Sequence, residues 1–110
     1  MVVRDLLELE GLKLIVEGDM DAEVTGGYMG DLLSVVMGDA DEGQAWITIQ
    51  SHVNIVAVAS LKGVPVIIIA QGFEPDEETV ESAKEEGITL LGTDLDSFSI
   101  AKKLILEKGL

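Results

Sequence analysis

The chain has 110 residues, enough for one domain whose core needs no staples. It has no cysteine, which excludes disulfides, thiolate metal sites and cysteine nucleophiles together. Its net charge is −14, with seven basic residues against 21 acidic, a surface that repels phosphate backbones and argues against nucleic acid as a partner.

The start, MVVRDLLELEG, carries Asp5, Glu8 and Glu10 where a secretion signal needs unbroken apolar residues. No run approaches the roughly 18 apolar residues of a membrane span, so the expected location is cytoplasmic, away from any membrane. VRDLLELEG reads as a short helix and LKLIVEG as a strand. EVTGGYMG, residues 23–30, reads as a short extended piece and a glycine turn feeding a helix from about Asp31 to Gly38.

The middle of the chain stands apart. Eleven acids lie in residues 1–43 and ten in 74–110, but none in 44–73, where Lys62 is the only formal charge. That segment is therefore expected to be the hidden centre of the fold. QAWITIQ and VPVIIIAQGF are β-branched apolar runs, which suit strands buried on both faces of a parallel sheet. Between them SHVNIVAVASLKG is long enough for a crossover helix from near Ser51 to Gly63, giving a right-handed βαβ unit. The pattern then repeats. EPDEETVESAKEEG is a helix with an acidic first turn and Gly87 at its end, ITLLGT a strand, and DSFSIAKKLILEKG a last helix with Phe98, Ala101, Leu104 and Ile105 on one stripe. Alternation of this kind defines a single α/β domain over residues 1–110, with a mainly parallel sheet and flanking helices.

The crossover helix carries apolar residues in nearly every direction, from Val53 to Leu61. Such a helix is buried all round. Either the domain's own helices cover it, or a homodimer forms through or beside residues 52–62.

In parallel α/β sheets, ligands bind outside the carboxyl ends of the strands. Four segments are expected there: Thr25-Gly26-Gly27-Tyr28, Gln50-Ser51-His52 with Asn54, Gln71-Gly72-Phe73-Glu74, and Gly92-Thr93-Asp94. The glycine turn lacks the lysine of a P-loop and the spacing of a dinucleotide fingerprint. It is either a generic backbone anion cradle or a place where positive φ or close approach demands glycine. His52, the only histidine, is a ligand contact, a phosphate acceptor, an acid–base group, or a helix-start residue bonded to a neighbouring loop, with Asp94 and Glu74 as orienting groups. Ser51, Asp31 and Asp76 read as helix N-caps, and Trp46 as core. The acids of DADE, residues 39–42, lack the spacing of a calcium loop, so neither a metal nor a cofactor is expected.

Through EVTGGYMGDLLS and WITIQSHVNIVAVASLKGVPVIII, the chain resembles the DRTGG domain family over essentially its whole length. Thr25-Gly26-Gly27 retains the end of the naming motif, while Glu23-Val24 stands where the family has Asp-Arg. These domains are similar to the N-terminal domain of HPr kinase/phosphorylase, without its kinase domain, and occur attached to CBS modules or phosphotransacetylase-type enzymes. The resemblance implies an HPr kinase N-terminal-like fold and a regulatory role.

Three functions follow as expectations. The first is a non-catalytic sensing module binding a small anionic metabolite or nucleotide through Thr25, Gly26, Gly27, Gln50, Ser51, His52, Asn54, Gln71, Gly72 and Thr93. The second is an adaptor that meets a partner enzyme through its acidic surface. The third is phosphoryl transfer through His52.

Overall fold

The computed structural model describes all residues, Met1–Leu110. A 3₁₀ helix, Val3–Glu8, leads into β1 (Lys13–Val16), β2 (Gly26–Met29), α1 (Leu33–Asp39), β3 (Gln44–Thr48), α2 (Asn54–Lys62), β4 (Val66–Ile69), α3 (Glu77–Glu86), β5 (Thr89–Gly92) and α4 (Ser97–Lys108). The five strands form one sheet in the order β1-β5-β4-β3-β2, parallel except for β1, which runs antiparallel to β5 at one edge. This is the α/β architecture that the alternation of elements requires.

The three inner strands are buried on both faces, and their side chains alternate between two cores. Trp46, Ile67, Ile69 and Leu90 face α1, α2 and α3, packing on Val36, Ile55, Val56, Ala59 and Ala83. Ala45, Ile47, Val66, Ile68 and Leu91 face the other way, toward Val3 and Leu6 of the 3₁₀ helix and Ile100 and Leu104 of α4. The acid-free middle of the sequence is therefore the centre of the sheet, with its crossover helix.

Helices α2, α3 and α4 each end on a left-handed glycine, Gly63 (φ 70°), Gly87 (φ 69°) and Gly109 (φ 72°). Asp96 caps α4 by accepting from the backbone N–H of Ser99 at 2.7 Å. That bond stabilises its ionised form and holds its carboxyl below the usual range.

The cover of α2 comes in part from this chain. With α1 and α3 beside it and the sheet beneath, Ile55, Val56, Val58 and Ala59 are buried, while Leu61 remains 74% exposed beside the exposed Ala57 and Ser60.

Three local expectations are corrected. Gly26 and Gly27 belong to the edge strand β2 rather than to a turn. GGYM has little side-chain strand signal, and the strand forms because its backbone pairs with Gln44–Ile47. The buried line of α4 runs through Ile100 and Leu104, so Phe98 and Ile105 stand outward at 75% and 58% exposure. Finally, Ser51 and Asp31 do not cap helices: α2 and α1 begin later, after Val53 and Leu32, without side-chain caps.

Candidate functional site

At the carboxyl edge of the sheet, the segments after β2 and β3 are tied by side chains. Asp31 Oδ1 accepts from Thr48 Oγ1 and from the backbone N–H of Ile49, each at 2.9 Å. Gln50 Nε2 donates back to the Asp31 carbonyl at 2.9 Å, so Gln50 is engaged in holding this corner. Asp31, read from sequence as a cap, instead joins two strand ends. Trp46 adds a third tie from below, donating from Nε1 to the Gly30 carbonyl at 2.9 Å.

The Ser51 carbonyl accepts from the backbone N–H of Asp76 at 3.2 Å and from Thr79 Oγ1 at 2.8 Å, fastening the approach to α2 onto the start of α3. Asp76 is the residue before α3, but its side chain makes no cap bond. It pairs with His52 instead, Oδ2 to Nδ1 at 2.8 Å, in the open. The orienting carboxylate is thus Asp76 rather than Asp94 or Glu74. The Asp76 carboxylate only accepts, so Nδ1 carries the proton of this pair and Nε2 of the neutral ring is left as an acceptor on an exposed side chain. Asn54, the first residue of α2, is exposed nearby in the chain.

After β4 the backbone turns sharply through two left-handed residues, Gln71 (φ 60°) and Gly72 (φ 73°). The turn is bonded to the segment after β5: Gln71 N–H donates to the Leu95 carbonyl at 2.8 Å and Gly72 N–H to the Thr93 carbonyl at 2.9 Å. Gln71 is a non-glycine residue in a sparsely populated region, and such strain concentrates at functional sites. Thr93 is buried, with its Oγ1 accepting from Leu95 N–H at 3.1 Å.

Beside this turn lies a cleft of about 200 Å³, lined by Lys13, Ile15, Gly72, Phe73, Glu74, Pro75, Val80 and Thr93. Lys13 reaches it because β1 runs antiparallel, so its first residue pairs with Gly92, the last of β5. Lys13 is exposed and makes no ion pair, and Phe73 is 49% exposed. An unpaired cation, an open aromatic face and a carboxylate at Glu74 can meet a phosphate, a planar ring and a hydroxyl respectively. Sequence reading missed Lys13, because nothing in LKLIV reveals which way the strand runs.

Of the ten expected site residues, the structure gathers Gln50, Ser51, His52, Asn54, Gln71, Gly72 and Thr93 along this edge. Thr25, Gly26 and Gly27 lie at the opposite end: Gly26 and Gly27 pair with Gln44 and Ala45, the first residues of β3. Thr25 N–H donates to the Gly43 carbonyl at 2.9 Å, and the hollow beside it is bordered by Glu23 and Glu42, the wrong sign for an anion. Neither glycine has positive φ, and a Cβ on either would meet nothing closer than 3.8 Å. Packing within the chain does not require them, although glycine in a strand costs roughly 0.5–1 kcal/mol relative to alanine. Gly30 is different, because its Cβ would lie 3.0 Å from the Tyr28 ring.

The DRTGG domain family matches residues 10–106. The chain is a DRTGG domain. Among solved structures, the DRTGG domain is similar to the CBS and DRTGG domains of the regulatory region of Clostridium perfringens pyrophosphatase, crystallised with its activator diadenosine tetraphosphate. The TM-score is 0.66 at 24% identity, over 94% of the DRTGG domain described here and 44% of the clostridial chain, so the two share a fold. No curated protein matches. No helix of this DRTGG domain is long and apolar enough to cross a membrane, and no group of three His, Cys, Asp or Glu side chains is arranged to hold a metal ion.

Proposed function

We propose that this DRTGG domain is a non-catalytic sensing module that takes a small phosphorylated metabolite or nucleotide at the carboxyl edge of its sheet. The observation that carries the reading is the cleft in which unpaired Lys13 and half-exposed Phe73 flank the turn at Gly72 and Thr93. Lys13 would meet the phosphate, Phe73 would stack on a base or other planar group, and Glu74 would accept from a hydroxyl. Gln71 belongs to the same turn, which is held in place by the bonds from Gln71 N–H to the Leu95 carbonyl and from Gly72 N–H to the Thr93 carbonyl. Gln50, His52 and Asn54 follow β3 in the chain, with Gln50 bonded to Asp31 and His52 to Asp76. Support also comes from the clostridial regulatory region, whose activator is a nucleotide, although this chain corresponds to less than half of it.

The reading predicts a ligand that stabilises the folded state. In a thermal-shift screen over mononucleotides, dinucleoside polyphosphates and sugar phosphates, a compound near 100 times its Kd should add about 2.7 kcal/mol. Lys13→Ala and Phe73→Ala should each weaken that compound at least tenfold, while Thr25→Ala at the far end leaves it unchanged. A screen in which no compound moves the melting temperature refutes the proposal. If Thr25→Ala abolishes binding and Lys13→Ala does not, the site lies at the amino edge instead.

A further inference from the structure

The cleft at Gly72 and Thr93 also discriminates among phosphorylated ligands, provided that it has the sensing role proposed above. Size sets one limit. Roughly 150 Å³ holds a benzene-sized ring, so a cleft of about 200 Å³ is nearly filled by one planar group on Phe73 and one phosphate beside it. Charge sets a second limit. Lys13 is the only cation lining the cleft, and its stem is laid over the bare Gly92 at the end of β5, where a Cβ would stand 3.2 Å from Lys13 Cε. Glu74 lines the same cleft, and a further carboxylate stands against its floor. Asp94 Oδ1 lies 3.2 Å from the point that a Cβ on Gly72 would occupy. Lys13, Glu74 and Asp94 are all exposed, and none of them is in an ion pair.

A phosphate monoester carries about −1.5 to −2 at pH 7, which one ammonium largely offsets. Each further phosphate adds negative charge with no further cation to meet it. A longer phosphate chain has no favourable way out of the cleft either. Past Thr93 lies a hollow bordered by Glu10 and Asp94, and its one lysine, Lys103, is 3.5 Å from Glu107. Past Pro75 the backbone enters α3 through Asp76, Glu77 and Glu78, all exposed, so the positive end of that helix already faces acids of its own.

We infer that the cleft selects a nucleoside monophosphate over nucleoside di- and triphosphates and dinucleoside polyphosphates, and that Asp94 sets this limit. The Asp94 carboxylate is too far from Lys13 to neutralise it, yet it borders the cleft through Gly72. It therefore repels a second phosphate without competing for the first. Glu74 is engaged with a hydroxyl of the same ligand, which leaves Asp94 as the uncommitted charge.

Isothermal titration calorimetry on the whole chain tests this, with EDTA present so that no divalent ion masks the phosphate charge. The probes are the mono-, di- and triphosphates of adenosine and guanosine, diadenosine tetraphosphate and glucose 6-phosphate. For the base that binds better, the monophosphate should bind roughly tenfold or more tightly than the triphosphate. Asp94→Asn keeps the size of the side chain and removes its charge. It should shrink that ratio by roughly threefold or more while changing the monophosphate affinity less than twofold. Added salt should narrow the same gap by screening. A triphosphate or diadenosine tetraphosphate that binds as tightly as the monophosphate overturns the inference and leaves the sensing role standing, as does binding of glucose 6-phosphate with no nucleotide bound. A ratio that Asp94→Asn leaves unchanged removes Asp94 from its role. If no probe binds, the sensing role and the selectivity fall together.

Discussion

Replacing Thr48 by valine tests whether side-chain ties at the carboxyl edge, rather than the strands alone, hold the segment that carries Gln50 and His52. Thr48 is fully buried; its Oγ1 donates to Asp31 at 2.9 Å and accepts from the Gln50 backbone N–H at 3.1 Å. Valine preserves the shape and removes both bonds. A hydrogen bond to a charged acceptor contributes about 1.5–3 kcal/mol, and a buried donor left unpaired costs about 1–3 kcal/mol. Water can reach the exposed Asp31 and the half-buried Gln50, so the lower ends of those ranges apply. The methyl group that replaces the hydroxyl returns about 0.8 kcal/mol by burial. The expected net loss is about 2 kcal/mol, or about 8 °C in melting temperature for a domain of this size.

Urea unfolding followed by Trp46, the only tryptophan, measures the effect directly. Asp31→Ala should be destabilising alone and less than additive with Thr48→Val, with a coupling of about 1 kcal/mol. A loss under about 0.5 kcal/mol with an unchanged denaturant slope, or a strictly additive double mutant, would refute the claim that Asp31 and Thr48 act together.

Two further outcomes test the packing and the electrostatics. Gly18→Ala should destabilise by about 3 kcal/mol, since the new Cβ would sit 2.3 Å from the Gly87 carbonyl oxygen and only backbone movement relieves it; equilibrium unfolding within 1 kcal/mol of wild type would contradict that contact. The Tyr28 phenol is raised above its usual value near 10, first by burial and then by the charge and hydrogen bond of Asp39. Its folded pKa lies above its unfolded one, so its stabilising contribution is complete below pH 10 and is lost as pH rises through the folded value. Phenolate absorbance should report a single tyrosine titrating late, and Asp39→Asn should bring it earlier; an unchanged midpoint in that variant removes Asp39 from the account.

Much of this protein can be read from pattern alone. Continuous β-branched runs such as ITIQ and VIII mark strands covered on both faces, because only such strands need no polar side. The gap in the acids over residues 44–73 marks the centre of the sheet, since charge is costly to bury. Left-handed helix ends at Gly63, Gly87 and Gly109 follow from the local preference of glycine for positive φ.

The placement of the candidate site depends on long-range pairing, which no local pattern encodes. Lys13 reaches the carboxyl edge only because β1 lies antiparallel to β5, and Gly26-Gly27 leaves it only because β2 pairs in register with the start of β3. Asp76 was legible as a residue at a helix start, yet its contact with His52 joins positions 24 apart in sequence. The phase of α4 is a similar case. Its composition allows more than one buried line, and packing against the sheet selected Ile100 and Leu104 over the line through Phe98 and Ile105. Local propensity and burial thus determined which elements form and which segment is central. Register, strand direction and helix rotation were decided only when the elements packed, because each is a relation between residues far apart in the chain.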